Sequence, residues 1–144
     1  MTMKRSHQIK WAGLPTLVAA MVLALATAAT AQVRTPLSSE VSVRGNSGGA
    51  QSSSCGFIGS FSQTIQVTES FTGLRIRVQS DSSSATPTLF IQGPGGRNQC
   101  ARADSFSQGL IEVSGVWEQG NYTVHVGEPT SGAAHAVRLL VLQQ

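Results

Sequence analysis

Through the middle and end of the chain, aliphatic residues recur at every second position. Ile65 and Val67 alternate with Gln66 and Thr68; Leu74, Ile76 and Val78 alternate with Arg75, Arg77 and Gln79; Tyr122, Val124 and Val126 alternate with Thr123, His125 and Gly127. A period of two sends neighbouring side chains to opposite faces of an extended backbone, so these segments predict half-buried β-strands. Short apolar runs at 88–92, 110–114 and 136–142, with a weaker one at 57–60, predict further strands. Polar or Gly/Pro-rich stretches at 81–87, 93–96 and 128–132 separate them, and Gly120-Asn121 opens another strand. Strands this short and this evenly spaced predict an all-β fold, an antiparallel sandwich over residues 55–144. Residues 32–54 are instead rich in Ser, Gly and Gln, with only Val41 and Val43 hinting at a strand, and predict a flexible leader.

Composition agrees with a β-rich chain. From Gln32 onward Val, Ile, Leu and Phe supply 28 residues, eleven of them Val, while Lys and Met are absent. The beginning of the chain differs. Lys4, Arg5 and Lys10 precede an apolar stretch at 17–29, and Ala29-Thr30-Ala31 places small residues where a signal peptidase reads, so residues 1–31 are expected to be a signal peptide cut after Ala31. The rival expectation is an uncleaved anchor, because no charge interrupts residues 11–33. Cleavage leaves a secreted or periplasmic product with no membrane contact. Once the three basic residues of the signal are set aside, the formal charge of +3 disappears, and seven arginines face seven acids. No charge excess remains for phosphate neutralisation, which excludes nucleic acid as the main partner. Export also makes a disulfide between Cys55 and Cys100 the default. Its loop of about 46 residues would stabilise the fold by about 4 kcal/mol in the chain-entropy description.

The segment Pro87-Thr88-Leu89-Phe90-Ile91-Gln92-Gly93-Pro94, then Gly115-Val116-Trp117, then Gly120-Asn121-Tyr122-Thr123-Val124-His125-Val126-Gly127 and a closing apolar strand resemble bacterial pre-peptidase C-terminal domains. The resemblance covers residues 57–142. It implies a jelly-roll-like β-sandwich of about seven to eight strands. It also implies a non-catalytic binding or maturation module, usually appended to exported enzymes and here standing alone. Some relatives of that family bind calcium through acidic residues ahead of the strand matching Leu89-Phe90-Ile91, where this chain has Ala85-Thr86-Pro87-Thr88. Asp81 and Asp104 remain as weak calcium candidates. Calcium takes six to eight oxygens, and the plainer role for both is turn formation.

Enzyme chemistry finds little support in the sequence. Gly45-Asn46-Ser47-Gly48-Gly49 looks like the nucleophile segment of a trypsin-like protease, but Ser47 falls in the expected leader and no suitable His and Asp precede it. A different set built from His125 or His135 with Asp104 is not selected by any spacing, and both histidines are expected to be exposed. No carboxylate pair is closely spaced for glycoside hydrolysis. Recognition is the stronger expectation. Phe106, Trp117 and Tyr122 are candidate aromatic platforms, with a core role favoured for Tyr122, a position at the end of the sandwich for Trp117, and exposure for Phe106. Arg75 and Arg77 on one strand and Arg138 on another share a polar face that could grip an acidic glycan or a partner's carboxylates. The expected function is thus an exported, non-catalytic module recognising an envelope polysaccharide or an envelope protein. The alternatives are a structural protein that self-associates through sheet edges, and a small secreted hydrolase.

Overall fold

The computed structural model describes residues 32–144. The expected signal sequence lies outside the described residues. Eleven strands form: β1 (Val33–Arg34), β2 (Val41–Asn46), β3 (Gln51–Ser53), β4 (Gly56–Ile58), β5 (Ser62–Val67), β6 (Thr72–Ser80), β7 (Thr88–Gln92), β8 (Asn98–Arg102), β9 (Leu110–Trp117), β10 (Gly120–Gly127) and β11 (Ala136–Gln143). A five-stranded sheet runs β1-β5-β10-β7-β8, a four-stranded sheet runs β2-β11-β6-β9, and β3-β4 is a separate hairpin. All pairings are antiparallel except β1 with β5, which is parallel.

Alternation explains the layers. Along β6 the aliphatic positions Leu74, Ile76 and Val78 are fully buried while Arg75, Arg77 and Gln79 are not. They meet Val137, Leu139 and Val141 of β11 and Ile111 of β9 on the same inner face, opposite Ile65, Val67, Leu89, Ile91, Val124 and Val126 of the other sheet. Each such side chain contributes about 1.5–3 kcal/mol when fully buried. The outward positions of β6 stay polar, as the period of two requires, whereas those of β9 and β11 also carry Leu110, Val116, Leu140 and Leu142.

β7 departs from that pattern because it is covered on both faces. Leu89 and Ile91 enter the main core, while Phe90 packs outward with Cys55 and Ile58 in a second, smaller cluster. The hairpin β3-β4 supplies that cover. Cys55 at its tip bonds to Cys100 of β8, whose Cα partner across the sheet is Phe90. Thr88 Oγ1 donates to the Cys55 carbonyl at 2.6 Å.

Two expectations need correction. Residues 32–54 are not a leader set apart from the sandwich: β2 pairs with β11 over six residues, β1 pairs with β5, and β3 forms half of the hairpin. Their polarity reflects strands at sheet edges, which bury one face at most. The strand count also exceeds the seven to eight expected, because β1, β3 and β8 are short or polar and leave no aliphatic alternation.

Candidate functional site

The outer face of the four-stranded sheet gathers charge. Arg75 and Arg77 project from β6, Arg138 from β11 and Arg44 from β2. Register places Arg138 directly opposite Arg44 on one side and Gln79 on the other. A single acid, Glu112 of β9, stands opposite Arg77. Arg77 donates to Glu112 Oε2 from Nε at 2.9 Å and from Nη2 at 2.6 Å, and Arg75 Nε lies 3.4 Å from Oε1. The Arg77 hydrogen bond, assisted by the nearby Arg75 charge, holds the Glu112 carboxyl below the usual carboxylate range. Among the described residues Arg44 and Arg138 have no ion-pair partner. Directly opposed side chains in an antiparallel pair have Cβ atoms about 4.5–5.5 Å apart, close enough for two guanidinium groups to repel or to share one anion. The three arginines expected to share a face do so. Arg44 joins them from β2, in the segment whose polar sequence predicts a leader.

A second constellation lies at one end of the sandwich, where β2, β4, β10 and β11 converge. Glu128 follows β10, is 2% exposed, and exchanges both backbone hydrogen bonds with Phe57. Its Oε1 accepts from the Ser47 hydroxyl and from His135 Nδ1, the latter at 3.0 Å. Ser47 and His135 also continue the β2–β11 ladder: Ser47 N donates to the His135 carbonyl at 2.8 Å, and His135 N donates to Ser47 Oγ at 3.1 Å. The next residue must be glycine, since a Cβ on Gly48, at φ +75°, would sit 2.0 Å from the Ala133 carbonyl oxygen and 2.7 Å from Glu128 Cγ. Ser47 is therefore a buried, fixed residue, not a leader residue, and His135 is half-buried rather than exposed. The expectation for both is overturned by these packing and hydrogen-bond partners. The arrangement differs from a nucleophilic triad. There the imidazole stands between hydroxyl and carboxylate, whereas here the carboxylate stands between hydroxyl and imidazole, and the hydroxyl is 1% exposed.

No family model matches the chain. An uncharacterised protein of Synechococcus elongatus is 36% identical to it over 130 residues, covering 85% of this chain and 90% of the relative. The chain belongs to that protein's family. Among solved structures, the pre-peptidase C-terminal domain of a Bacillus anthracis collagenase superposes with a TM-score of 0.52 at 14% identity, over 81% of this chain and 99% of that one. PliG of Aeromonas hydrophila, a periplasmic inhibitor of g-type lysozyme, superposes with a TM-score of 0.49 at 14% identity, over 78% of this chain and 96% of that one. The fold is thus a β-sandwich like that of pre-peptidase C-terminal domains, as the sequence resemblance implies.

The remaining candidates separate. Phe106 is 89% exposed on the turn after β8, away from any aromatic partner among the described residues. Trp117 is 7% exposed and meets the Tyr122 ring edge-on at 4.7 Å, so it belongs to the core and is not an open platform. Tyr122 packs against the same core, and burial raises its pKa while its hydroxyl donates to the Glu118 carbonyl at 3.0 Å. Asp104 Oδ1 accepts from Phe106 N at 2.9 Å and Ser107 N at 2.8 Å, an Asx turn. Asp81 is exposed. Among the described residues no three His, Cys, Asp or Glu side chains gather to hold a metal. His125 contacts Gln92 and Phe90, and His135 contacts Glu128, so neither is paired with Asp104. His125 is half-buried, and that burial lowers its pKa.

Proposed function

We propose that the protein is an exported, non-catalytic binding module, and that the outer face of its four-stranded sheet recognises an acidic envelope component. The observation that carries the reading is the opposed pair Arg44 and Arg138, which lacks an acidic partner beside Arg75 and Arg77. Guanidinium groups fixed on neighbouring strands form a flat array of forked donors suited to carboxylates along a polysaccharide or on a protein surface. The Cys55–Cys100 bond supports an oxidising compartment, and cleavage after Ala31 would deliver the chain there. The carboxylate-centred arrangement of Ser47, Glu128 and His135 supports a structural role for that cluster.

The test is cosedimentation of the exported protein with acidic and with neutral envelope polysaccharide, and with envelope protein, over a salt series. Retention by an acidic fraction that falls with salt, and falls at least ten-fold in Arg138→Glu, is the expected result. Retention unaffected by that substitution, or no retention on any fraction, would refute it. A second reading rests on β9, a sheet edge that leaves Val116 67% and Leu110 37% exposed. It predicts edge-to-edge self-association, visible as a concentration-dependent sedimentation coefficient.

A further inference from the structure

The two sheets do not cover each other equally. β2 presents six residues at the edge of its sheet, whereas β1, at the nearby edge of the other sheet, has two. The inward positions Val41 and Val43 are consequently only half-buried, although they alternate with the exposed Ser42 and Arg44. Leu37 and Phe61 pack part-way into the gap. What remains is a groove of about 590 Å³ lined by Val33, Leu37, Val41, Val43 and Phe61, within the size range of small-ligand pockets. Arg34 and Arg44 are the charged residues among those lining it, and no Asp or Glu is present there. Both arginines are exposed and alternate with an inward valine, which puts them at the rim and leaves the floor apolar.

An apolar floor with a cationic rim complements a molecule with one apolar chain and one anionic head. We propose that this groove binds a free single-chain carboxylate, a fatty acid, with the chain along Val41, Val43 and Phe61 and the carboxylate at Arg34 or Arg44. The site differs from the outer-face surface: only Arg44 is common to both, and the floor is formed by inward-facing side chains. A fatty acid is favoured over an extended peptide because the rim charge is of one sign and the lining offers no acid to pair with a peptide's basic side chains.

The experiment is titration calorimetry of the purified full chain with decanoate and dodecanoate, each below its micelle concentration, and with dodecanol below its solubility limit. Binding of dodecanoate with one site per chain is expected, up to about four-fold tighter than decanoate for each added methylene that the groove buries. Dodecanol should bind at least ten-fold more weakly than dodecanoate, and Arg34→Glu should weaken dodecanoate to a similar degree. Arg75→Gln, which alters the outer face on β6 away from Arg44, should leave dodecanoate binding unchanged, so failure here is distinguishable from failure of the acidic-surface reading. No saturable binding by any chain would overturn the proposal, as would equal affinity for acid and alcohol with no effect of Arg34→Glu. Binding of extended apolar peptides or of anionic vesicles, but not of dodecanoate, would overturn it in favour of those occupants.

Discussion

A carboxyl group that is 2% exposed loses its hydration on folding, so protein groups must take over the work of water. For Glu128 those groups are the Ser47 hydroxyl and the His135 ring, and the dependence is unequal. The His135 side chain is 38% exposed and can hydrate if the acid is lost, whereas Glu128 cannot hydrate if the imidazole is lost. His135→Ala is therefore expected to cost about 3 kcal/mol, at the upper end of the range for leaving a buried polar group short of a partner, and Glu128→Gln about 1–2 kcal/mol, in the range for a weakened hydrogen bond. Urea denaturation of the two variants checks the order; equal losses would mean that the pair is not held as the geometry indicates. His125 presents a different balance. Its Nδ1 is buried without a hydrogen-bond partner among the described residues, and its ring lies over Phe90 at 6.2 Å. Burial depresses its pKa below the ordinary value of 6.5, so the unfolded chain takes up the proton first. The stability associated with the neutral ring is full above about pH 6.5, falls as pH drops toward the folded-state pKa, and levels off below it. Melting temperatures measured from pH 8 to pH 4 should show this acid limb in the native protein and a flatter one in His125→Gln.

At the scale of elements, the hairpin β3-β4 has little of its own to hold it. It covers Phe90 with Ile58 and Cys55, and its connection to the edge strand β8 is the disulfide. Replacing both cysteines by serine is expected to cost about 4 kcal/mol through the loop released in the unfolded state. Hydrogen exchange should locate the native-state effect. Amides of β3, β4 and β8 should lose protection, while those of β6 and β11, paired over seven positions in the core, keep theirs. The same elements mark what the sequence makes legible. β5, β6, β7, β9, β10 and β11 are visible in it because one face or both must be apolar, and Val, Ile and Leu then fall at fixed steps. β8, with the sequence Asn98-Gln99-Cys100-Ala101-Arg102, and β3 form by backbone pairing with polar side chains, so no period betrays them. Arg75, Arg77 and Arg138 can be placed on one face by counting alternate positions. Arg44 needs the β2–β11 register, and the meeting of Ser47, Glu128 and His135 needs three chain ends to converge. Long-range convergence of that kind has no local signature.

Over the whole molecule, the segment with the least apolar sequence carries a large part of the architecture. Residues 32–54 supply an edge strand to each sheet, the serine that bonds the buried carboxylate, and one strand of the hairpin that carries Cys55. Removing them would uncover the full length of β11 that β2 pairs with, expose Val137, Leu139 and Val141 along that edge, and leave Glu128 without Ser47. A flexible leader would predict the opposite, a truncated chain as stable as the parent. The chain starting at Cys55 should therefore melt at least 10 °C lower than the chain starting at Gln32, or associate through the bared β11 edge, because losses of several kcal/mol shift a domain of this size by about 4–8 °C each kcal/mol. Circular dichroism melts and size-exclusion chromatography of the two oxidised proteins decide between these accounts. Equal melting temperatures and equal monomeric elution would mean that β1 and β2 dock without contributing, and the arginine pair Arg44–Arg138 would then lose the rigid register on which its proposed grip on an acidic partner depends.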